Sequence, residues 1–457
     1  MGRRSVIVAA ILSTVALLLL PSPLQASQTH RFKESFGSAI QPTFLRPSAL
    51  AISPAGAPGE GDLLVGDYGI NELQDVMIEG GPTGGGFRLC FESECTQPLI
   101  ILGSGSPVSS EVRDALWALG TINGPNVSVP PKSGDLPDTV TYTVEFVGRF
   151  STTDVPELTC DASGLTGGSS PTCSVATKTP GIESTVERFN SDGSPHEFPS
   201  LGSNVLGPFA WPEPFPESWV QIAIAPAAAF GGTEGNIYVP ESAKSIINVF
   251  GASGATLGQL SEYKEGPNAE GPTVPLGKPC GVAVDGAGGL FVGDFLHDTH
   301  LYVPASNLPV ATDNKSNFNA VDEPCNILAG IGPSSGSVFI NSLFGDLFRV
   351  DRVTGAIKCK VDPGINSAIA INPANGRILV ASGSQVAEYE ATATVCAKKV
   401  DEFSAPSDIK GMAVDESNNV YLSLIGDSYV RIYGPVSAID VLGEQASGVI
   451  KGIYNLS

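Results

Sequence analysis

The sequence predicts a mainly β protein, and three observations carry that expectation. Short apolar runs bounded by Gly, Asn, Asp and Pro dominate the chain, which has 53 Gly and 36 Pro in 457 residues; this is the mark of many short strands. A self-similar unit recurs at a period of roughly 40–60 residues, in the range of propeller blades. Only one segment, near residues 109–119, carries 3.6-residue apolar periodicity.

The N-terminus reads as a secretory signal over residues 1–26. Arg3 and Arg4 form a positive start, Val6 to Leu20 an apolar stretch, and Leu24-Gln25-Ala26 a small-residue cleavage site before Ser27. The apolar run is shorter than the ~20 residues of a bilayer span. The mature chain is therefore expected to be secreted, extracellular or held at the cell surface, with no membrane span after cleavage. Its formal charge of −22 on only 25 basic residues argues against nucleic acid as a partner.

The repeat is clearest in Gly411-Met412-Ala413-Val414-Asp415, Asn419-Val420-Tyr421-Leu422-Ser423 and Tyr429-Val430-Arg431-Ile432-Tyr433. Other copies begin at Gly281-Val282-Ala283-Val284-Asp285, Ile222-Ala223-Ile224-Ala225, Ala368-Ile369-Ala370-Ile371-Asn372 and, more loosely, Asn326-Ile327-Leu328. Each unit has a small apolar first strand suited to a crowded channel wall, then a turn, a β-branched strand and an alternating outer strand. A lone four-stranded sheet cannot bury both faces, so such units stack around an axis.

A sixth copy, first in the chain, is split. Ser48–Pro54 and Asp62–Asp67 look like its first two strands, and the third arrives only at Ser184–Gly193, about 110 residues later, far beyond an ordinary loop. The expected organisation is a propeller over 27–70 and 182–440, an inserted α/β domain over 71–181, and a tail over 441–457. In the insert, Leu73–Ile78, Gly86–Phe91 and Thr141–Phe146 alternate as half-buried strands. Residues 109–119 form a helix with Val112, Ala115, Leu116 and Leu119 on one face and Ser109 or Ser110 as N-cap. Arg31–Gly37 reads as an outer strand that completes the last blade, whose own fourth strand near Ile439-Asp440-Val441 is weak; joining the two ends removes open edges.

These repeats resemble the NHL family, whose pattern runs G-x-A-V-D, then G-x-V-Y-V-A-D, then R-V-x-V-F. The resemblance implies a six-bladed β-propeller, and relatives include binding scaffolds, lactonase-like hydrolases and lyases. The insert resembles a small α/β module of bacterial surface proteins, carried by Asn71-Glu72-Leu73-Gln74, Gly84-Gly85-Gly86-Phe87 and Asp154-Val155-Pro156-Glu157-Leu158; it implies no activity.

Eight cysteines in an exported chain suggest four disulfides. Cys90 and Cys95 flank a tight polar turn and Cys160 and Cys173 a Gly/Ser-rich loop, which favours those two pairs, and position in successive repeats favours Cys280–Cys325 and Cys359–Cys396, the last two residues each in a final strand. A buried free thiol is the rival for any pair. Zinc spacing of the C-x₂-C kind is absent.

Candidate chemistry is sparse. His297 and His300 could hold a metal with Asp294, against the alternative of a solvated turn. The resemblance to lactonase-like propellers implies a Ca²⁺ site at the channel mouth, for which Asp67, Asp285, Asp294, Asn372 and Asp415 are the available ligands. The competing reading is that Asp and Asn there satisfy turn backbone groups. No G-x-S-x-G elbow occurs, and Gly84-Gly85-Gly86 reads as a hairpin. N-x-S sequons fall at Asn126, Asn314 and Asn455. The expected function is a non-catalytic scaffold binding an extracellular protein or glycan, without a cofactor. The alternative is a divalent-cation-dependent lactonase-like hydrolase or lyase.

Overall fold

Alternating small and β-branched residues make the strands, and their packing makes the architecture. In the computed structural model, the described residues are 30–36 and 44–435, except 104, 137–138, 212–219, 320 and 343–344. The expected signal segment, the strand near Ile439, the tail over 441–457 and the Asn455 sequon lie outside them.

Outside residues 71–181, six four-stranded antiparallel sheets follow one another. The first joins Pro47–Ile52, Leu63–Asp67, Ser184–Phe189 and Val205–Phe209. The second runs Ala223–Ile224, Ile237–Glu241, Ile246–Phe250 and Thr256–Leu260; the third Pro279–Val284, Leu290–Asp294, Thr299–Tyr302 and Asn314–Phe318. The fourth takes Pro324–Ala329, Ser337–Ser342, Leu347–Asp351 and Ile357–Asp362, and the fifth Ala368–Ile371, Ile378–Ser382, Gln385–Glu390 and Lys398–Ser404. The sixth comprises Ile409–Val414, Val420–Leu424 and Val430–Pro435, with His30–Phe36 as its outer strand.

That outer strand comes from the opposite end of the chain. His30 pairs with Pro435 and Phe36 with Val430, so the exposed edge of the last sheet is covered. The first sheet is completed across the intervening segment, where Thr185 pairs with Asp67 and Phe189 with Leu63.

Each sheet buries both faces against its neighbours, as its two apolar side-chain sets require. Trp211, Tyr68 and Leu64 meet Val239 and Phe250 between the first and second sheets, and Tyr238 and Val249 meet Val292 between the second and third. Phe291 meets Ile340 between the third and fourth, and Phe339 meets Val380 between the fourth and fifth. Leu379 and Phe403 pack on Leu422 of the sixth, and Tyr421 and Ile432 return to Leu63 and Val65 of the first. The first strands touch in the same cyclic order. The arrangement is propeller-like.

Third-strand arginines reinforce successive contacts. Arg188 donates to Ala252 O of the second sheet at 3.4 Å, and Arg349 of the fourth donates to Thr392 O at 2.7 Å and Val395 O at 3.0 Å in the fifth. Four disulfides form, in the expected pairs. Cys280–Cys325 joins the first strands of the third and fourth sheets, and Cys359–Cys396 joins the fourth sheet to the fifth. Cys396 lies in the turn between Gln385–Glu390 and Lys398–Ser404, not in a strand as expected. Four disulfides are the usage of an oxidising compartment.

Strands between Leu73 and Thr179 pair only with one another and bury a cluster of their own around Phe87, Tyr142 and Phe146. Helix Ser109–Trp117 lays Val112 and Leu116 on that cluster. Its N-cap is Val108, not Ser109 or Ser110. The Glu111 carboxylate accepts the Val108 N–H at 2.9 Å, the N3-to-N-cap half of a capping box, and its charge suits the first turn.

Candidate functional site

The six first strands surround a cavity of about 450 Å³. Its walls are aliphatic because the repeat places small apolar residues on these strands. Ile52, Ile224, Val284, Leu328 and Ile371 are half-buried, and Val414 is buried. One polar side chain crosses it. Gln221 donates from Nε2 to Ile327 O at 2.8 Å and accepts from Ile327 N at 2.9 Å and Val282 N at 3.2 Å. Its amide thereby ties the second sheet to the third and fourth, and its hydrogen bonds go to backbone. Polar groups gather at one rim, where Glu60, Asp415, Glu416 and Ser417 border the opening.

The expected ligand residues divide between the two ends. Asp285, Asn372 and Asp415 follow first strands, at the rim end. Asp67 and Asp294 close second strands, which run the other way; Asp294 pairs with Pro279, the start of its neighbour. A five-residue strand such as Leu290–Asp294 rises about 3.3 Å per residue, so the two groups stand about 16 Å apart.

Each of these residues is already engaged by nearby protein groups. Asp285 Oδ1 accepts Ala287 N at 2.8 Å and Gly289 N at 3.0 Å, and Oδ2 pairs with Arg352 at 2.5 Å. Asp415 accepts Ser417 N at 2.9 Å, Asn419 N at 2.8 Å, Asn419 Nδ2 at 2.7 Å and Tyr421 OH at 3.2 Å. Asn372 Oδ1 accepts Ala374 N at 3.0 Å. At the other end, Asp67 takes Leu45 N at 2.9 Å and Arg46 N at 2.7 Å, and Asp294 takes Gly277 N at 2.6 Å and Lys278 N at 2.7 Å. These two carboxylates perform one task in two repeats: each orders the chain entering the first strand of its own sheet.

His297 and His300 are likewise engaged. His297 Nδ1 meets Asp294 Oδ2 at 3.1 Å, and His300 Nδ1 meets Asn317 Oδ1 at 2.8 Å. The His300 ring stacks on Tyr263 at 4.0 Å and is fully buried. Burial pushes its pKa down to about 4, which keeps the ring neutral. Among the described residues, no three His, Cys, Asp or Glu groups gather as metal ligands. The carboxyls of Asp67 and Glu187 sit near one another; burial raises both, and Glu187, further raised by Asp67, reaches about 7.

Two polar features escaped the sequence reading. Gln221 shows only as one polar residue in the run Val220-Gln221-Ile222-Ala223-Ile224. Asp62 binds Arg188 and His196, from 126 and 134 residues away, and no local signal pairs them. The two described sequons offer no free amide: Asn126 Nδ2 donates to Ile122 O at 2.9 Å, and buried Asn314 donates to Leu301 O at 3.1 Å.

A second hollow lies on the intervening segment. It holds about 800 Å³ beside Gly84–Gly86, Arg88, Asp161 and Ser163. Ile100, 52% exposed, and Leu102, 77% exposed, stand at its border.

No family model matches this chain, and no curated protein matches it. Among solved structures, hydrazine synthase of Kuenenia stuttgartiensis is similar with a TM-score of 0.33 and 9% identity, over 42% of this chain and 54% of that one. This chain thus spans about half the length of that one. A chain in a crystal structure of the mitotic checkpoint complex is similar with a TM-score of 0.42 and 10% identity, over 91% of this chain and 95% of that one. At these scores neither likeness carries an argument about what the chain does.

Proposed function

We propose that the protein is an exported six-bladed propeller of the NHL type with an α/β domain inserted in its first blade, acting as a non-catalytic scaffold for an extracellular protein or glycan. The observation that carries this reading is the fate of the polar candidates. Asp285, Asn372 and Asp415 lie at one end, bound to backbone groups of their own turns, and Asp67 and Asp294 lie at the other, bound to the backbone entering the first strand of their sheets, around a channel with aliphatic walls. A hydrolase or lyase needs groups that converge on a reacting atom and retain bonding capacity for it. A scaffold needs a rigid frame and exposed contact residues, which the cyclic packing and the Ile100–Leu102 edge supply.

Thermal unfolding of the mature, oxidised protein with added Ca²⁺, Zn²⁺ or EDTA tests the reading. The expected result is the same midpoint in all three. A rise of several degrees with either cation would place a metal in the native state and move the assignment to the cation-dependent enzyme. Binding to immobilised extracellular glycans and proteins is then compared between the intact chain and the Ile100→Ser/Leu102→Ser variant, which is expected to lose the partner without losing stability.

A further inference from the structure

We propose that the central cavity is a binding site for a small amphiphile with a single linear apolar chain and a cationic head. This site is separate from the surface contacts of the scaffold reading and stands or falls without them.

The walls set the body of the ligand. A space of about 450 Å³ lies in the range of small-molecule sites, roughly 300–1,000 Å³. Near the opening its lining is a ring of branched aliphatic side chains, Ile52, Ile224, Val284, Leu328, Ile371 and Val414, one from each first strand. Gln221 has already given its amide to Val282 and Ile327, and so offers little to a polar group inside. A charged or strongly polar head inserted there would lose its water without replacement partners. The apolar end must enter first and the head must remain at the opening.

The rim sets the sign of the head. Its ionisable residues are Glu60, Asp415 and Glu416, and no Lys or Arg is among the described residues lining the cavity. Asp415 is occupied by the four donors of its turn. Glu60 and Glu416 are exposed, and Glu60 has given one oxygen to Gly56 N at 2.9 Å. They therefore carry the free negative charge at the opening, on a chain whose net charge is already −22. A carboxylate or phosphate head would be repelled, and an ammonium head would be attracted.

The test is isothermal titration of the oxidised protein with decylammonium chloride, 1-decanol and sodium decanoate, each below its aggregation concentration. The expected order is decylammonium tightest, decanol weaker and decanoate weakest. Ile371→Trp fills the opening and should weaken decylammonium at least about tenfold. Glu60→Gln/Glu416→Gln should weaken decylammonium by roughly two- to fivefold, as for exposed charge pairs, and leave decanol unchanged. Ile100→Ser/Leu102→Ser should change nothing, which separates channel binding from adsorption on the exposed apolar edge. If Ile371→Trp does not fold, Val284→Phe on another strand of the ring carries the same test. The proposal is overturned if decylammonium does not bind, if decanoate binds as tightly, or if a folded, mouth-filling variant binds as the parent does.

Discussion

The pair Asp62–Arg188 ties together the two parts of the chain that make the first sheet, so its removal tests the split directly. Asp62 stands just before Leu63–Asp67 and Arg188 lies in Ser184–Phe189. Both side chains are 8% exposed. Arg188 Nε donates to Asp62 Oδ2 at 2.7 Å, His196 Nδ1 meets Asp62 Oδ1 at 2.9 Å, and the guanidinium sits 5.2 Å from the centre of the Phe198 ring. Asp62→Ala leaves a buried guanidinium without its counter-charge, a loss of about 3–5 kcal/mol. At about 2.1 cal/mol/K per residue over a unit of about 300 residues, that is a fall in midpoint of about 5–8 °C. Asp62→Leu/Arg188→Met removes both charges and should cost less than the sum of its single changes, with a coupling of about 2 kcal/mol or more. The assay is thermal and urea unfolding of the parent, Asp62→Ala, Asp62→Leu, Arg188→Met and the double variant, read by circular dichroism. Strict additivity, or a cost below about 1 kcal/mol for Asp62→Ala, would mean that the two parts do not meet as a buried pair, and the split sheet would have to be abandoned.

Four further outcomes follow from other parts of the fold. Cys280→Ala/Cys325→Ala opens a link between residues 45 apart and should cost about 4 kcal/mol, whereas Cys90→Ala/Cys95→Ala, across 5 residues, should cost about 2 kcal/mol; the reverse order in urea unfolding would refute the chain-entropy account. His300, held near pKa 4 by burial, binds its proton more readily when unfolded. Its effect on stability is complete above about pH 6.5 and falls by up to about 3 kcal/mol as pH drops towards 4, a slope that His300→Gln should remove. Glu187 runs the other way: with its pKa raised to about 7, the neutral form suits the fold, so its contribution is full below about pH 4.5 and is lost as pH rises through 7. Glu187→Gln should steepen the acid-side loss that remains, and no change in the pH profile would show that its carboxyl is not buried as described. Finally, deletion of the strand His30–Phe36 uncovers the Val430–Pro435 edge. A lower midpoint and concentration-dependent association through that edge are expected, and a monomer of unchanged stability would show that the strand does not close the sheet.

The fold was readable where its cause is local. Small apolar first strands, turn residues and β-branched second strands repeat because each sheet faces the same crowding, so copies such as Gly281–Asp285 and Gly411–Asp415 announce themselves. Even the borrowed outer strand was legible, since Arg31–Phe36 has the pattern that the last repeat lacks. What stayed hidden depends on partners distant in the chain. Gln221 looks like an interruption in an apolar run until two neighbouring sheets present backbone groups to it. Asp62 looks like one more turn aspartate until Arg188 returns after the intervening segment. The helix cap failed on a smaller scale: the N-cap is Val108, which has no side-chain oxygen to accept an N–H of the first turn, and the contact that forms is the reciprocal one, from Val108 N–H to the Glu111 carboxylate.

The site residues show how far residue type can mislead when strand direction is ignored. Asp67, Asp285, Asp294 and Asp415 all end apolar runs, and as a set they look like ligands for a hard cation. Asp285 follows Val284 and Asp415 follows Val414 on first strands; Asp67 and Asp294 each follow Gly at the end of a second strand. Neighbouring strands are antiparallel, so residues ending odd and even strands of one repeat must lie at opposite ends of the sheet. The same turn chemistry then serves two different ends: Asx bonds inside a hairpin at the rim, and capture of the entering chain at the far end. Parity of the strand therefore decides which acidic residues can share a ligand, and here it leaves only Asp285, Asp415 and Asn372 together, Asp415 and Asn372 spending their oxygens within their own repeats and Asp285 on its turn and Arg352. The free charge at the rim belongs instead to Glu60 and Glu416, residues with no place in the repeat pattern.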